Sequence, residues 1–221
     1  MTQFLKRSAA IFATFFVAGA YATGGGGTSS TTKLIVGDSI FALSGDIREF
    51  LEDDLNETIR SEARSGCEVL GGSLLCPSSS SIPNQYDDAN INGIDTVIMN
   101  GGGNDFLLGE GSSCFTQSCT LEVLNAIEQE LAAMFAQMHA DGMEQIIFLG
   151  YYNTPADPDN VAVNTISVQY KLDNYPALGV DYIDSRPAFD GNERAYITSD
   201  DIHPTAAGSR VLADLILDTL N

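Results

Sequence analysis

Short apolar runs that alternate with helical stretches constrain the fold of this chain more than any other feature. Runs of β-forming residues occur at 33–36, 95–99, 145–149 and 180–183. Apolar residues at helical spacing occur at 44–60, 120–142 (with Thr120 as the predicted cap) and 205–220. Such alternation is typical of a parallel sheet that is covered by helices on both faces. The chain of 221 residues suits one α/β domain, and we see no internal repeat.

The chain begins with the parts of a secretory signal peptide. Lys6 and Arg7 give a positive start, 9–17 is apolar, and small residues then offer cleavage after Ala22 or, as a second choice, after Ala20. The alternative is an uncleaved N-terminal anchor, which the short apolar run disfavours. We therefore expect a secreted or periplasmic protein.

The segment after the signal peptide is rich in glycine, serine and threonine. Residues 23–32 have too few apolar side chains to form a core, so they indicate a flexible low-complexity leader. The predicted organisation is a signal peptide at 1–22, this leader, and a folded domain at 33–221.

The chain is strongly acidic. It has 30 acidic and 10 basic residues, which gives a formal net charge of −20. A surface of this sign repels nucleic acid and anionic membranes, so we expect no nucleic-acid partner. The acidic residues are spread along the chain and indicate a solvated surface; a preference for neutral or cationic substrates is the alternative. We also expect a monomer with no membrane-spanning segment once the signal peptide is removed.

Four cysteines fit an exported protein. Cys67, Cys76, Cys114 and Cys119 allow three pairings. The short loops favour Cys67–Cys76 and Cys114–Cys119. A zinc site is the alternative, but these gaps do not match the usual Cys-x-x-Cys spacing. We therefore expect two disulfides and no metal.

One of the two histidines lies in a polar turn before the last predicted helix. An imidazole titrates near neutral pH, so His203 is the candidate base, whereas His139 in a predicted helix is expected to have no role. A carboxylate three residues earlier can reach the second ring nitrogen, and Asp200 has that spacing while Asp201 does not. The alternative is that one of these aspartates only caps the turn, and spacing alone does not decide between the two.

Polar residues also follow the first two predicted strands. Ser39 ends a Gly-Asp-Ser tripeptide, which is common by itself, and the chain has no Gly-x-Ser-x-Gly motif, which argues against an α/β-hydrolase. Asn104 follows three glycines and offers an amide donor that could stabilise an oxyanion. The alternative is a glycine-rich turn in which Asn104 caps a helix. Because ligands of parallel sheets bind beyond the carboxyl ends of the strands, all these polar residues are expected near one site.

Three segments in this order resemble the sequence blocks of the SGNH (GDSL-type) hydrolases. They are Gly37-Asp38-Ser39, Gly102-x-Asn104-Asp105 and Asp200-x-x-His203-Pro204-Thr205, and the resemblance covers about residues 33–220. It implies a flavodoxin-like three-layer α/β/α sandwich with a mostly parallel sheet. It also implies a serine hydrolase without a cofactor, in which Ser39 attacks an acyl carbonyl, His203 takes its proton and Asp200 orients His203.

The resemblance further implies an oxyanion hole. Its donors would be the backbone amides of Ser39 and Gly66 and the side chain of Asn104. Gly66 is the best match to the block between the first two, and Gly71 and Gly72 are weaker candidates because no β-forming run directly precedes them.

The chain departs from the family pattern at two places that bear on the site. Asp201 stands where a glycine is frequent and adds negative charge beside His203, which favours a protonated imidazole. Cys67 directly follows Gly66, and a disulfide from Cys67 to Cys76 would tether the oxyanion loop.

The expected function is hydrolysis of carboxylic esters, as in an esterase, lipase, lysophospholipase or thioesterase that acts on small-molecule or lipid esters. A carbohydrate O-deacetylase or an acyltransferase on the same fold is an alternative, because the catalytic groups would be shared. A non-catalytic binding module is disfavoured, since it has no need of Ser39, Asn104, Asp200 and His203 together. A metal-dependent enzyme is disfavoured because the chain has only two histidines and no His-Glu-x-x-His motif.

Overall fold

A computed structural model describes residues 31–114, 116–154 and 158–220. The predicted signal peptide and nearly all of the predicted leader lie outside these residues. Within the described part of the chain, no helix combines the length and apolar character needed to cross a membrane.

A five-stranded parallel sheet forms the centre of the molecule. Its strands are β1 (Lys33–Val36), β2 (Arg60–Ser61), β3 (Thr96–Met99), β4 (Gln145–Leu149) and β5 (Asp181–Ile183). They are ordered β2-β1-β3-β4-β5 and all neighbouring pairs are parallel. The predicted α/β fold is thus confirmed, and the four predicted strands match to within one residue at each end. The two-residue β2 was not predicted, because a run this short carries no periodicity.

Helices follow the strands and cover the sheet. They are α1 (Ser39–Ala42), α2 (Asp46–Leu55), α3 (Ile82–Asp87), α4 (Gly103–Leu107), α5 (Gln117–Ala140), α6 (Pro158–Asn174), α7 (Arg186–Phe189), α8 (Glu193–Tyr196) and α9 (Ala206–Thr219). The predicted helices correspond to α2, α5 and α9. Short 3₁₀ turns lie at Ser78–Ser80, Glu110–Ser113 and Tyr175–Leu178.

Alternate side chains of each strand enter two separate apolar layers, as the period of two in a strand requires. Leu34 of β1 packs with α3 and α5 on one face, while its neighbour Ile35 packs with α1, α2 and α9 on the other. Ile146 and Ile147 of β4 divide in the same way. The result is a three-layer sandwich in which burial on both faces fixes the register of the strands.

Two predicted helix boundaries were wrong for local reasons. The helix predicted to reach residue 60 ends at Leu55, because Asn56 adopts a left-handed conformation with φ of 50° and the chain turns into β2. The cap of α5 is Thr116 and not Thr120, since the Thr116 hydroxyl accepts a hydrogen bond from the Cys119 amide.

The structure contains one of the two predicted disulfides. Cys114 is bonded to Cys119, with Cα atoms 5.4 Å apart. Cys67 and Cys76 are free buried thiols, so their predicted pairing is wrong for this structure. Both sulfur atoms contact the Ser80 carbonyl oxygen, at 3.1 and 3.4 Å. Burial and the neighbouring Cys76 thiol raise the pKa of Cys67 to about 12.

Candidate active site

The order of the strands creates a crevice beyond the carboxyl ends of β1 and β3. The connection from β1 leads to β2 on one side of the sheet, and β3 leads to β4 on the other. Such switch points are the usual ligand sites of open α/β sheets. Residues 37–39 leave β1 here and are called the serine turn below; residues 100–104 leave β3 and are called the glycine turn.

Close approach of the two turns fixes the conformation of the serine turn. Gly37 has a φ of 145°, and a Cβ atom at this position would clash with the Asn100 side chain. The Gln85 side chain holds Gly37 from the other side, since it accepts from the Gly37 amide at 2.8 Å and donates to its carbonyl at 3.0 Å. Ser39 follows as the first residue of α1 and is buried, with 8% of its surface exposed.

A hydrogen-bond network around Asp38 joins three strand ends. The Asp38 carboxylate accepts from the Ile40 amide at 2.9 Å, the Asn100 side chain at 2.7 Å and the Tyr151 hydroxyl at 2.5 Å. The Tyr151 hydroxyl also accepts from the Gly103 amide at 3.3 Å. Burial raises the pKa of Asp38, and these three donors and the charge of His203 act in the opposite direction. The serine turn, the glycine turn and the end of β4 are therefore connected.

Asp200 and His203 form a hydrogen-bonded pair in the turn before α9. His203 Nδ1 lies 2.6 Å from Asp200 Oδ2. The other oxygen, Oδ1, accepts from the Thr198 hydroxyl at 2.6 Å and from the amides of Ile202 and His203, both at 2.9 Å. Partial burial acts to raise the pKa of Asp200, but these hydrogen bonds hold it well below its usual range. An ionised carboxylate only accepts hydrogen bonds, so Nδ1 carries the proton and Nε2 is left as an acceptor.

The turn that carries Asp200 and His203 has a residue with a positive φ angle, Asp201. This residue adopts a φ of 60°, which explains why a glycine suits the position. The Asp201 side chain is exposed. Its predicted effect on His203 stays a prediction.

Three groups that were predicted to form an oxyanion hole keep a free hydrogen-bond donor. The backbone amides of Ser39 and Gly66 donate to no acceptor among the described residues. The side-chain amide of Asn104 donates one hydrogen to the Cys67 carbonyl at 2.9 Å, and its second hydrogen is available to another acceptor. Gly66 itself is buried beneath Leu75 and does not line the cavity described below, so its link to Asn104 runs through the adjacent Cys67.

Asp105 anchors the segment that follows Cys67. Its carboxylate accepts from the amides of Val69 and Leu70, both at 2.9 Å. Burial and the charge of Glu68 outweigh these two donors and raise the pKa of Asp105 to about 6. Glu68 is 1% exposed, and its Oε1 atom has no partner among the described residues.

A largely apolar cavity of about 280 Å³ opens beside these groups. Ser39, Asn104 and the 200–202 segment line it, whereas His203, within the part of the chain that the structure describes, does not line it and makes no hydrogen bond to Ser39. Apolar side chains form much of the remaining wall, including Phe106, Leu107, Leu124 and Ile127. His139 lies at the C-terminal end of α5, where its Nε2 contacts the Leu178 carbonyl at 2.8 Å.

Sequence reasoning missed Tyr151, Asn100 and the residues of α6 that reach the cavity. Tyr151 and Asn100 both follow predicted strands at the sheet edge where the site was expected, so that edge was a usable signal. For α6 there was no such signal, because its apolar residues do not recur at helical spacing.

Comparison with solved structures supports this architecture. The lipase Lip_vut3 from a goat rumen metagenome matches with a TM-score of 0.66 and 19% identity, over 85% of this chain and 96% of its own. TesA matches with a TM-score of 0.63 and 19% identity, over 86% of this chain and 98% of its own. A carbohydrate esterase matches with a TM-score of 0.63 and 15% identity, over 88% of this chain and 66% of its own. At these identities the likeness shows the fold.

No match was found among curated proteins. A family model does match, and it is the model of the GDSL-like lipase/acylhydrolase family. Because that match runs from residue 35 to residue 211, most of the chain and every segment that lines the cavity lie within it, and the chain belongs to this family.

Proposed function

We propose that the protein is a secreted serine hydrolase that cleaves carboxylic esters through an acyl-enzyme on Ser39. The observation that carries this proposal is the hydrogen-bonded Asp200–His203 pair in a segment that shares one cavity with Ser39 and Asn104. A base that is oriented by a carboxylate, close to a serine and to amide donors, is the arrangement that acyl transfer requires.

In the proposed reaction, Ser39 Oγ attacks the ester carbonyl carbon while His203 Nε2 accepts its proton. The negative charge on the carbonyl oxygen is stabilised by the Ser39 amide and by the Asn104 side chain, and the resemblance to the family assigns the Gly66 amide as the third donor. His203 then donates the proton to the departing alcohol, which leaves an acyl group on Ser39. Water attacks this ester by the same route in reverse, and the carboxylic acid is released.

Asp200 acts through His203 in this scheme. Its low pKa keeps it ionised, so it fixes the ring orientation and stabilises the imidazolium that forms when His203 is protonated. The three other donors to Asp200 Oδ1 hold the carboxylate in place.

The apolar wall of the cavity favours an acyl chain over an acetyl group as the acid part of the ester. An acetyl group would leave the contacts offered by Phe106, Leu124 and Ile127 unused. We therefore place ester hydrolysis ahead of carbohydrate deacetylation for this chain.

Hydrolysis of p-nitrophenyl esters tests the proposal. We expect wild-type protein to hydrolyse hexanoyl or octanoyl esters, Ser39→Ala to lower kcat by at least about 10³-fold, and Asn104→Ala to lower it by about 10²–10³-fold. Ser118→Ala, which alters an exposed serine at the start of α5, is the matched control and should keep full activity. Undiminished hydrolysis by folded Ser39→Ala would overturn the proposal.

A further inference from the structure

A buried ion pair contributes to the wall of the apolar cavity. Lys171 lines the cavity with only 4% of its surface exposed, and its ammonium group is paired with the Glu128 carboxylate. It also donates to the Ser167 hydroxyl at 2.9 Å. The second oxygen of Glu128 accepts from the Tyr175 hydroxyl at 2.8 Å. The polar groups of the pair are therefore satisfied by the protein itself.

Lys171 lies two turns further along α6 than the residue that is tied to the end of β4. Asn164 is tied to the end of β4, since its side chain donates to the Tyr151 carbonyl at 3.0 Å. Ser167 and Lys171 follow on the next two turns of α6, and all three residues line the cavity. Seven residues of α-helix place Lys171 about 10 Å further along the axis than Asn164. There the ammonium group lies 5.5 Å from the centre of the Phe148 ring, below the end of β4.

A second, smaller cavity lies on the other side of the pair. It measures about 60 Å³, and among the described residues it is lined by Glu128 but not by Lys171. It shares Leu124 and Ser167 with the main cavity. The rest of its wall includes Leu121 and the exposed residues Ile166 and Tyr170, so it lies near the protein surface. The ion pair thus separates two spaces that are otherwise adjacent.

Folding energy alone gives little reason for a buried pair of this kind. The cost of removing both charges from water offsets much of their attraction, and apolar residues of similar volume often stabilise a protein as well or better. A role in shaping the cavity accounts for its position between the two spaces.

We propose that the Glu128–Lys171 pair is the wall that limits the length of the acyl chain, so that this hydrolase prefers short to medium chains. The inference rests on the proposed ester hydrolysis. The cavity measures about 280 Å³, and part of this volume is needed around Ser39. A longer chain would have to displace a pair that is held from both sides by Ser167 and Tyr175.

The test is an acyl-length profile of p-nitrophenyl esters from acetyl to palmitoyl. Wild-type protein is expected to peak near hexanoyl and to fall steeply beyond decanoyl. Glu128→Ala/Lys171→Ala removes both charges and joins the two cavities, and it should raise the kcat/KM ratio of dodecanoyl to hexanoyl ester by about tenfold or more. Glu128→Gln/Lys171→Met keeps the volume of both side chains and should leave the profile near that of the wild type.

Lys33→Ala/Glu57→Ala is the matched control, because it removes another ion pair with largely buried side chains at the start of β1. It should leave the profile unchanged. If the double alanine variant at 128 and 171 does not fold, Glu128→Gln/Lys171→Ala opens the wall from the side of the main cavity and takes its place.

The outcomes separate the two proposals. A folded variant with an opened wall and an unchanged profile would overturn the inference while ester hydrolysis stands. Absence of hydrolysis of every ester by folded wild-type protein would instead overturn the proposed function.

Discussion

At the scale of single residues, Tyr151 connects the serine turn to the glycine turn. Its hydroxyl donates to Asp38 and accepts from Gly103, so one side chain connects the turn of the proposed nucleophile to the turn that carries Asn104. Catalytic groups must be held to within a fraction of an ångström, and a residue of this kind acts by positioning them.

We expect Tyr151→Phe to lower kcat by about tenfold while KM changes much less. The ring is kept, but Asp38 loses one of its donors, and the free energy of unfolding should fall by about 1–2 kcal/mol. Steady-state kinetics and urea unfolding measure the two effects. Tyr196→Phe is the control, because the Tyr196 hydroxyl makes no hydrogen bond to a described residue; equal kcat in the two variants would rule out a positioning role for Tyr151.

The residues that the sequence predicted well are those whose contacts are local. Asp200 and His203 are three residues apart, so their spacing alone allowed the contact that the structure contains. The Tyr151–Asp38 bond spans 113 residues and the Lys171–Glu128 pair spans 43. Contacts of this kind depend on which strands are neighbours and on which face each helix covers, and neither follows from spacing in a single sequence.

At the scale of secondary-structure elements, the strands were predicted far better than the helices between them. The buried strands of a parallel sheet are continuous apolar runs with sharp ends, whereas α1, α4, α7 and α8 are too short to show a helical period. The helix α6 spans 17 residues and was still missed. It covers the cavity with polar side chains such as Asn164 and Ser167, so its inner face does not have the apolar pattern of a core helix.

The disulfide belongs to this scale, because it ties the start of α5 to the 3₁₀ turn at Glu110–Ser113. Cys119 lies in the first turn of α5, and Cys114 directly follows the 3₁₀ turn. A loop with a separation of 5 residues should stabilise the fold by about 2 kcal/mol, mostly through the unfolded chain.

We therefore expect Cys114→Ser/Cys119→Ser to lower the free energy of unfolding by about 2 kcal/mol in urea titrations without altering the helix signal in circular dichroism. Reduction of wild-type protein should lower the free energy of unfolding by the same amount. Reduction of Cys67→Ser/Cys76→Ser should also lower it by that amount, because this variant keeps the 114–119 disulfide. If the free energy of unfolding is the same with and without the 114–119 disulfide, this end of α5 does not need the bond.

At the scale of the whole molecule, the sheet gathers residues that are distant in sequence at one edge. The resemblance to SGNH hydrolases predicted this gathering for Ser39, Asn104 and the 200–203 turn. The cavity that adjoins them could not be predicted, because its size depends on how α5 and α6 pack over the sheet.

The free energy of unfolding depends on pH through the titratable groups of the whole molecule. Asp105 contributes a pH dependence of the opposite sign to that of the carboxylates with lowered pKa values. Its pKa is about 6 in the folded protein against 3.8 for the free side chain. The folded state therefore binds this proton more tightly than the unfolded state. The protonated Asp105 side chain stabilises the fold fully at low pH, and this stabilisation is lost as the pH rises through about 6. Asp200, Asp184 and Glu57 have lowered pKa values and contribute the opposite slope, since their stabilisation is lost as the pH falls.

The difference in unfolding free energy between wild type and Asp105→Ala should accordingly be larger near pH 4 than near pH 7, by about 2–3 kcal/mol. Denaturant titrations across this range measure it. Asp218→Ala, which removes an exposed carboxylate of α9, is the control and should give nearly parallel curves. A difference for Asp105→Ala that is constant with pH would mean that Asp105 has the same pKa in the folded and unfolded states.

Covalent labelling of Ser39 tests the central claim most directly. A fluorophosphonate reacts only with a serine that is activated by a base, so it reports the nucleophile without any assumption about the ester. We predict one adduct per chain by intact-mass spectrometry, located at Ser39 by peptide mapping, absent in Ser39→Ala and strongly slowed in His203→Ala. A folded protein that forms no adduct, or one that Ser39→Ala labels as fast as wild type, would contradict the account.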